Sequence, residues 1–188
     1  WKSESKYLIN DQISLETFAA NPKDTSLPLY NCFMLSGISD ISKTIAQIKS
    51  DPSAVHNLQE KLSDSVTSHI KNTWPNHPIK IIFQIDNMLL SFLVEDNGVK
   101  YSSKTTEQRS DGFRQFISFL LTISAESANK QLNNTLLLLD EPETHLHPQA
   151  QEFLLGELIK ITLSGNNIII FATHANYMID KQQLNRCY

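Results

Sequence analysis

An α/β fold is the expectation, and three successive apolar patterns along the 188 residues carry it. A helical stretch comes first, a run of alternating residues follows, and the chain ends on two wholly apolar strands separated by a helix. Strand, helix and strand with short connections form the right-handed crossover unit of a parallel sheet. The expected organisation is a helical segment over 1–78, an antiparallel β meander with its loop over 79–108, and a parallel-sheet core over 109–188.

Each element has its own signal. Leu27 to Leu35 reads as a helix that stops at Ser36-Gly37. After Asp51-Pro52, the residues Val55, Leu58, Leu62, Val66, Ile70 and Trp74 recur every three or four positions, and Pro75 closes the run. One apolar stripe on a polar cylinder predicts a helix that packs with one face. Ile79, Ile81, Phe83 and Ile85 then alternate with polar residues, as a half-buried strand does. Leu90, Phe92 and Val94 continue the alternation after a tight connection at Asp86-Asn87. Asp96-Asn97-Gly98 is a hairpin turn signal, which makes Val99-Lys100-Tyr101 the expected third strand. Residues 102–108 read as loop. A helix over about 112–124, with Asp111 as its N-cap, leads to a strand over Thr135 to Leu139. A second helix, Pro148 to Leu163, and a strand, Ile168 to Ala172, complete the unit. Because both strands are continuous apolar runs, a sheet covered on both faces is expected.

Composition narrows the class. With 40% hydrophobic residues, 5 Gly and 7 Pro, the chain is globular rather than disordered or fibrous. The net charge of −4 supplies no electrostatic footprint for nucleic acid on these residues. Cys32 and Cys187 lack motif spacing and suit a reducing, cytoplasmic setting. No apolar run approaches the roughly 20 residues that span a bilayer, so no membrane partner is expected. The opening Trp1-Lys2-Ser3, without an initiator Met, reads as a trimmed start.

Chemistry concentrates in the last third. Asp140-Glu141 follows Leu136-Leu137-Leu138-Leu139, so two acids stand at the carboxyl end of a buried strand, the usual ligand edge of an open α/β sheet. One carboxylate there can hold Mg²⁺ through water, and the next can polarise an attacking water. An isolated Asp-Glu reads more readily as a strand end with a polar turn; its neighbours decide. The second apolar strand ends in Thr173-His174, and if the strands are adjacent the imidazole reaches the same edge, where it can donate to a phosphate. Ser110-Asp111-Gly112 opens a helix carrying Phe113, Phe116, Ile117, Leu120 and Leu121, and a helix start with a small hydroxyl residue suits an anion.

Together these residues resemble an ATP-binding-cassette (ABC) ATPase. Ser110-Asp111-Gly112 is similar to a divergent signature loop, Leu136 to Glu141 to Walker B, Glu143 to Pro148 to the D-loop, and His174 to the switch histidine. The run Asp140-Glu141-Pro142-Glu143-Thr144-His145-Leu146-His147-Pro148, with Ala172-Thr173-His174 after it, resembles the OLD (overcoming lysogenization defect) nuclease and RecF-like group of AAA-family ATPases. The specific motifs cover residues 109–180. The resemblance implies the C-terminal part of an ABC-type P-loop NTPase sheet, with ATP and Mg²⁺ as cofactors. It implies that Asp140 binds Mg²⁺ through water, that Glu141 is the general base and that His174 contacts the γ-phosphate. Ser110 and Gly112 would contact the γ-phosphate of a nucleotide held by a second ATPase domain, through a dimer built on the signature and D-loop. DNA and a nuclease domain or subunit are the further partners it implies. His147 stands where a typical D-loop has Asp.

One part of the pattern is missing. None of Gly37, Gly98, Gly112, Gly156 and Gly165 fits G-x-x-x-x-G-K-[ST], so no Walker A cradle for the phosphates is found, nor a glutamine loop. Both precede the matching segment in the family. The chain is therefore expected to be a fragment that does not turn over ATP alone and that joins a missing N-terminal Walker A segment. Two other classes compete. Asp140, Glu143, His145 and His147 could form the metal site of a hydrolase or nuclease, and the helix near 53–74 could be the docking arm of a non-catalytic interaction module. Pro148, which starts a helix directly after the H-x-H, argues against the metal site.

Overall fold

A computed structural model describes residues 5–10, 12–75, 77–100, 102–106, 108–130 and 132–186. Trp1-Lys2-Ser3, Tyr101 and Cys187 lie outside the described residues.

The N-terminal region is mostly helical, as its pattern predicts, and it also contributes a strand. β1 (Gln12–Ser14) is followed by α1 (Leu15–Ala20), α2 (Pro22–Thr25), α3 (Leu27–Leu35), α4 (Ile41–Ile48) and α5 (Pro52–Thr73). Small polar caps set the starts: the Ser14, Ser26, Asp40 and Asp51 side chains accept from backbone N–H groups of the first turns. At the end of α3, Gly37 adopts φ +69 and lets Ile38 donate back to the Phe33 carbonyl, which stops the helix. Along α5, Leu58, Leu62, Val66 and Ile70 are buried, as the stripe requires.

β2 (Ile79–Asp86) and β3 (Leu89–Asp96) form an antiparallel hairpin in which Asp86 pairs with Leu89. Asn87 and Met88 both take positive φ, the geometry of a two-residue turn that follows the twist of the strands. The third strand is not where the alternation placed it. Val99 and Lys100 lie outside any strand, and β3 pairs instead with β4 (Lys104–Thr105) and, further along the same edge, with β1. Asp96 to Gly98 does turn, with Val99 N–H donating to the Asp96 carbonyl at 3.1 Å. The chain then loops, and the Ser102 hydroxyl bonds both the N–H and the carbonyl of Asp96 before pairing resumes.

The other edge of this sheet is closed by side chains. N–H groups of Ile81, Phe83 and Ile85 on β2 donate to Thr67 Oγ1 (2.9 Å), Ser63 Oγ (3.0 Å) and Gln59 Oε1 (3.2 Å) of α5. Four residues of helix rise about 6 Å and two residues of strand about 6.6 Å, so the spacings match. A polar ladder on the helix thus satisfies an edge that would otherwise invite another strand.

α6 (Asp111–Phe119) continues through a buried π-helical turn, Leu120–Ser124, into α7 (Ala125–Ala128). The widened turn spoils the regular carbonyl ladder, and side chains from α3 and α5 repair it. Asn31 Nδ2 reaches the Leu121 and Thr122 carbonyls (3.1 and 3.2 Å), and His69 Nε2 reaches that of Leu120 (3.2 Å).

β5 (Leu136–Asp140), α8 (Pro148–Ser164) and β6 (Ile168–Ala172) form the crossover unit, and β5 and β6 are parallel, with Asp140 opposite Ala172. Here the expected double cover is corrected. Leu137, Leu139, Ile169 and Phe171 pack inward, but Leu136, Leu138, Ile168 and Ile170 are 55–62% exposed. An apolar run tells that a strand is hydrophobic on both faces, not how many faces this stretch of chain covers.

Candidate functional site

The strand pair sets the geometry of the acidic edge. At the end of β5, Glu141 takes φ +42 and its N–H donates to the Ala172 carbonyl at 3.0 Å, extending the ladder by one bond. The side chains of Asp140 and Glu141 therefore emerge beside the end of β6. There Glu141 Oε1 lies 3.3 Å from His174 Nε2, with the imidazole 92% exposed and the carboxylate half-exposed. Thr144 Oγ1 caps the same short turn, donating to the Glu141 carbonyl at 2.8 Å and approaching Oε2 at 3.4 Å. Two carboxylates and an imidazole thus face solvent at one edge. Exposed carboxylate oxygens of this kind suit a hard, partly hydrated cation such as Mg²⁺.

Ser110 and Gly112 stand at a second place. The expected N-cap, Asp111, is the first helical residue; Ser110 is the cap, its extended backbone aiming Oγ at the Phe113 N–H (3.2 Å). Both types cap well, and a one-residue offset decides which hydroxyl or carboxylate reaches the third N–H. The Ser110 oxygen accepts, which leaves its O–H able to donate. Gly112 is buried, and a Cβ built on it would lie 2.0 Å from the His145 carbonyl oxygen. The start of α6 can therefore sit against the loop that follows Glu141 only because residue 112 has no side chain.

Between α6 and that loop lies a cavity of about 290 Å³, walled by Trp74, His77 and Phe113 on one side and His145 and His147 on the other. Trp74 and His77 stack at 4.1 Å, and burial holds the His77 imidazole below its ordinary pKa. Ser110 and Gly112 line this cavity; Asp140, Glu141 and His174 do not. The His145 backbone, against which Gly112 packs, is one link between the two groups.

A metal site made of Asp140, Glu143, His145 and His147 needs these side chains to converge, and they do not. Glu143 turns inward, 5% exposed, and accepts from the Thr173 hydroxyl, whereas His145 and His147 face the cavity. Among the described residues, no three His, Cys, Asp or Glu side chains come together as ligands.

Comparison with known proteins shows a family. Residues 2–179 match the AAA ATPase domain family. The chain belongs to that family. It is 32% identical over 122 residues to an uncharacterised protein of Methanocaldococcus jannaschii, covering 62% of this chain and 31% of that protein. It is 36% identical over 63 residues to the Old nuclease of Escherichia phage P2, covering 34% of this chain and 11% of the nuclease. The chain thus spans about a third and about a tenth of these two curated relatives. In fold it is similar to the Smc head solved with the C-winged helix domain of ScpA, at a TM-score of 0.50 and 15% identity over 80% of this chain and 44% of that one. The OLD-type resemblance and the α/β P-loop NTPase class expected from the motifs hold.

Three residues of this domain make contacts that the sequence reading did not assign to them. Glu143 and Thr173 sit in polar loops, where charge and hydroxyl read as surface. Arg109, next to Ser110, forks onto Asp96 with contacts of 2.8 and 3.0 Å and reaches the Val94 carbonyl at 3.2 Å. It also lies over the Phe113 ring, tying the start of α6 to the end of β3. Its guanidinium holds the Asp96 carboxyl below the usual carboxylate range. No pattern in the sequence pairs these two residues. In the described residues, no helix is long and apolar enough to cross a membrane.

Proposed function

We propose that this chain carries the Walker B, D-loop, switch and signature parts of a cytoplasmic ATPase that works as a dimer of ATPase domains and drives a DNA-directed activity. One observation carries the reading: Glu141 and His174 meet at 3.3 Å beside an exposed Asp140, at the carboxyl ends of two paired parallel strands. In this reading Glu141 takes the proton of the attacking water. His174, exposed at the end of β6, donates to the γ-phosphate oxygen as charge develops there. Asp140 would hold Mg²⁺ through water, and the bound ion would supply charge neutralisation at the phosphates. Ser110 donates its hydroxyl to the γ-phosphate held by a second domain, and Gly112 keeps that loop pressed onto the D-loop.

The phosphate loop comes from a segment other than these residues. Support for such a segment is the open face of β5 and β6, where four large aliphatic side chains stand in water. The nuclease relative favours DNA as the ultimate target of the engine.

The test is Glu141→Gln in the full-length protein. The amide keeps the shape but removes the base, so ATP hydrolysis should fall by about 10²- to 10⁴-fold while ATP binding persists. Near-normal turnover would remove Glu141 from the chemistry and the reading with it.

A further inference from the structure

We propose that Glu143 is a positioning residue which, through Thr173, holds the end of β6 so that His174 meets Glu141. What the two side chains then do rests on the ATPase reading; the latch itself rests on geometry alone.

His174 has little else to place it. Its imidazole is 92% exposed, and its only ion-pair contact among the described residues is Glu141. Its position follows from the backbone on either side. Before it, the Ala172 carbonyl accepts from the Glu141 N–H at 3.0 Å. At Thr173, the hydroxyl donates to Glu143 Oε1, and the same oxygen accepts from the Ala175 N–H at 3.0 Å. Thr173 is therefore the joint of a three-part chain, from the Glu143 carboxylate through the hydroxyl to the Ala175 amide. This chain brackets His174 on both sides and fixes it to the loop that carries Glu141.

The cost of the arrangement argues that it is selected for position. Glu143 is 5% exposed, and its second oxygen, Oε2, has no hydrogen-bond partner among the described residues. Burying a carboxylate with one oxygen unsatisfied is unfavourable. The oxygen that is bonded spans 30 residues of sequence to join two loops, each of which carries a proposed reacting group. The contact needs an acceptor at this place rather than a charge, so glutamine should serve in its stead.

The experiment has two arms. In the first, amide exchange is followed by NMR on the chain. Glu143→Ala frees the Thr173 hydroxyl to rotate, and the Ala175 amide should exchange about tenfold faster; Glu143→Gln should leave it unchanged. In the second, ATP turnover is measured in the full-length protein. Glu143→Ala and Thr173→Val should each lower kcat by about 10²-fold and leave KM for ATP within about twofold. Glu143→Gln should stay close to the parent, and the Glu143→Ala, Thr173→Val double variant should be no slower than either single one. Unchanged Ala175 exchange in Glu143→Ala overturns the latch. So does an additive double variant, or a Glu143→Gln enzyme as slow as Glu143→Ala. A full-length protein without any ATPase would sink the functional reading instead, and the exchange arm would still decide the latch.

Discussion

At Gly112, a single hydrogen atom in place of a methyl group joins two motifs. The start of α6 and the loop after Glu141 touch backbone to backbone, and a Cβ at this position would lie 2.0 Å from the His145 oxygen. Backbone cannot yield as a flexible side chain tip does. His145 itself adopts φ +66, so the loop has little freedom to retreat. Gly112→Ala should therefore destabilise the fold by about 1–3 kcal/mol, read as a lowered midpoint in thermal unfolding; an unchanged midpoint would contradict the contact. The signature-like glycine thus has a packing reason for being glycine, independent of any nucleotide. Ser110 has a similar double role, since its oxygen caps the helix while its proton remains available to an anion.

At the scale of elements, the π turn of Leu120–Ser124 depends on groups brought from two other helices. His69 must keep its ring neutral or pay for burial when charged. Burial lowers its pKa, and the bond to the Leu120 carbonyl offsets part of that effect. Burial likewise lowers His77. Unfolded imidazoles titrate near the ordinary value of about 6.5, so between that pH and the lower folded values the unfolded chain binds more protons. The stability contributed by these two residues is then complete above about pH 6.5 and lost as pH falls below it. Thermal melts from pH 8 to 5 should show a decline that His69→Gln makes shallower; a flat profile would contradict it. The helices and long strands were legible because their periods run for many residues. Leu58 to Ile70 make an unbroken stripe, and Leu136 to Leu139 an unbroken run. β1 and β4, of three and two residues, are too short to show a period, so β1 went unseen and the third strand of the sheet was sought at Val99. That the acid and imidazole of the candidate site come together was legible from their places at strand ends. The Glu143 to Thr173 bond was not, because only the fold reveals that a charged loop residue points inward.

For the molecule as a whole, the open face of β5 and β6 is where the proposed phosphate-loop segment can be tested. Leu138 and Ile170 are 61% and 58% exposed, so replacing both with Ser should change the stability of the 188-residue chain by no more than about 0.5 kcal/mol per site. In the full-length protein, where the proposed phosphate-loop segment covers this face, the same pair should lower stability and ATP turnover together. Equal and small effects in both settings would mean that the face stays open. The family match establishes an ATPase-type domain, and the likeness to the Smc head shows its fold. The central proposal is that its site is completed between two copies. The most direct measurement mixes two full-length variants, Glu141→Gln and Ser110→Arg, each inactive alone. A mixed dimer would contain one site with an intact Glu141 from one copy and an intact Ser110 from the other. The mixture should recover about a quarter of the parental ATP turnover, because about half of randomly paired dimers are mixed and each holds one intact site of two. A mixture no more active than the separate variants would contradict completion of the site by a second copy.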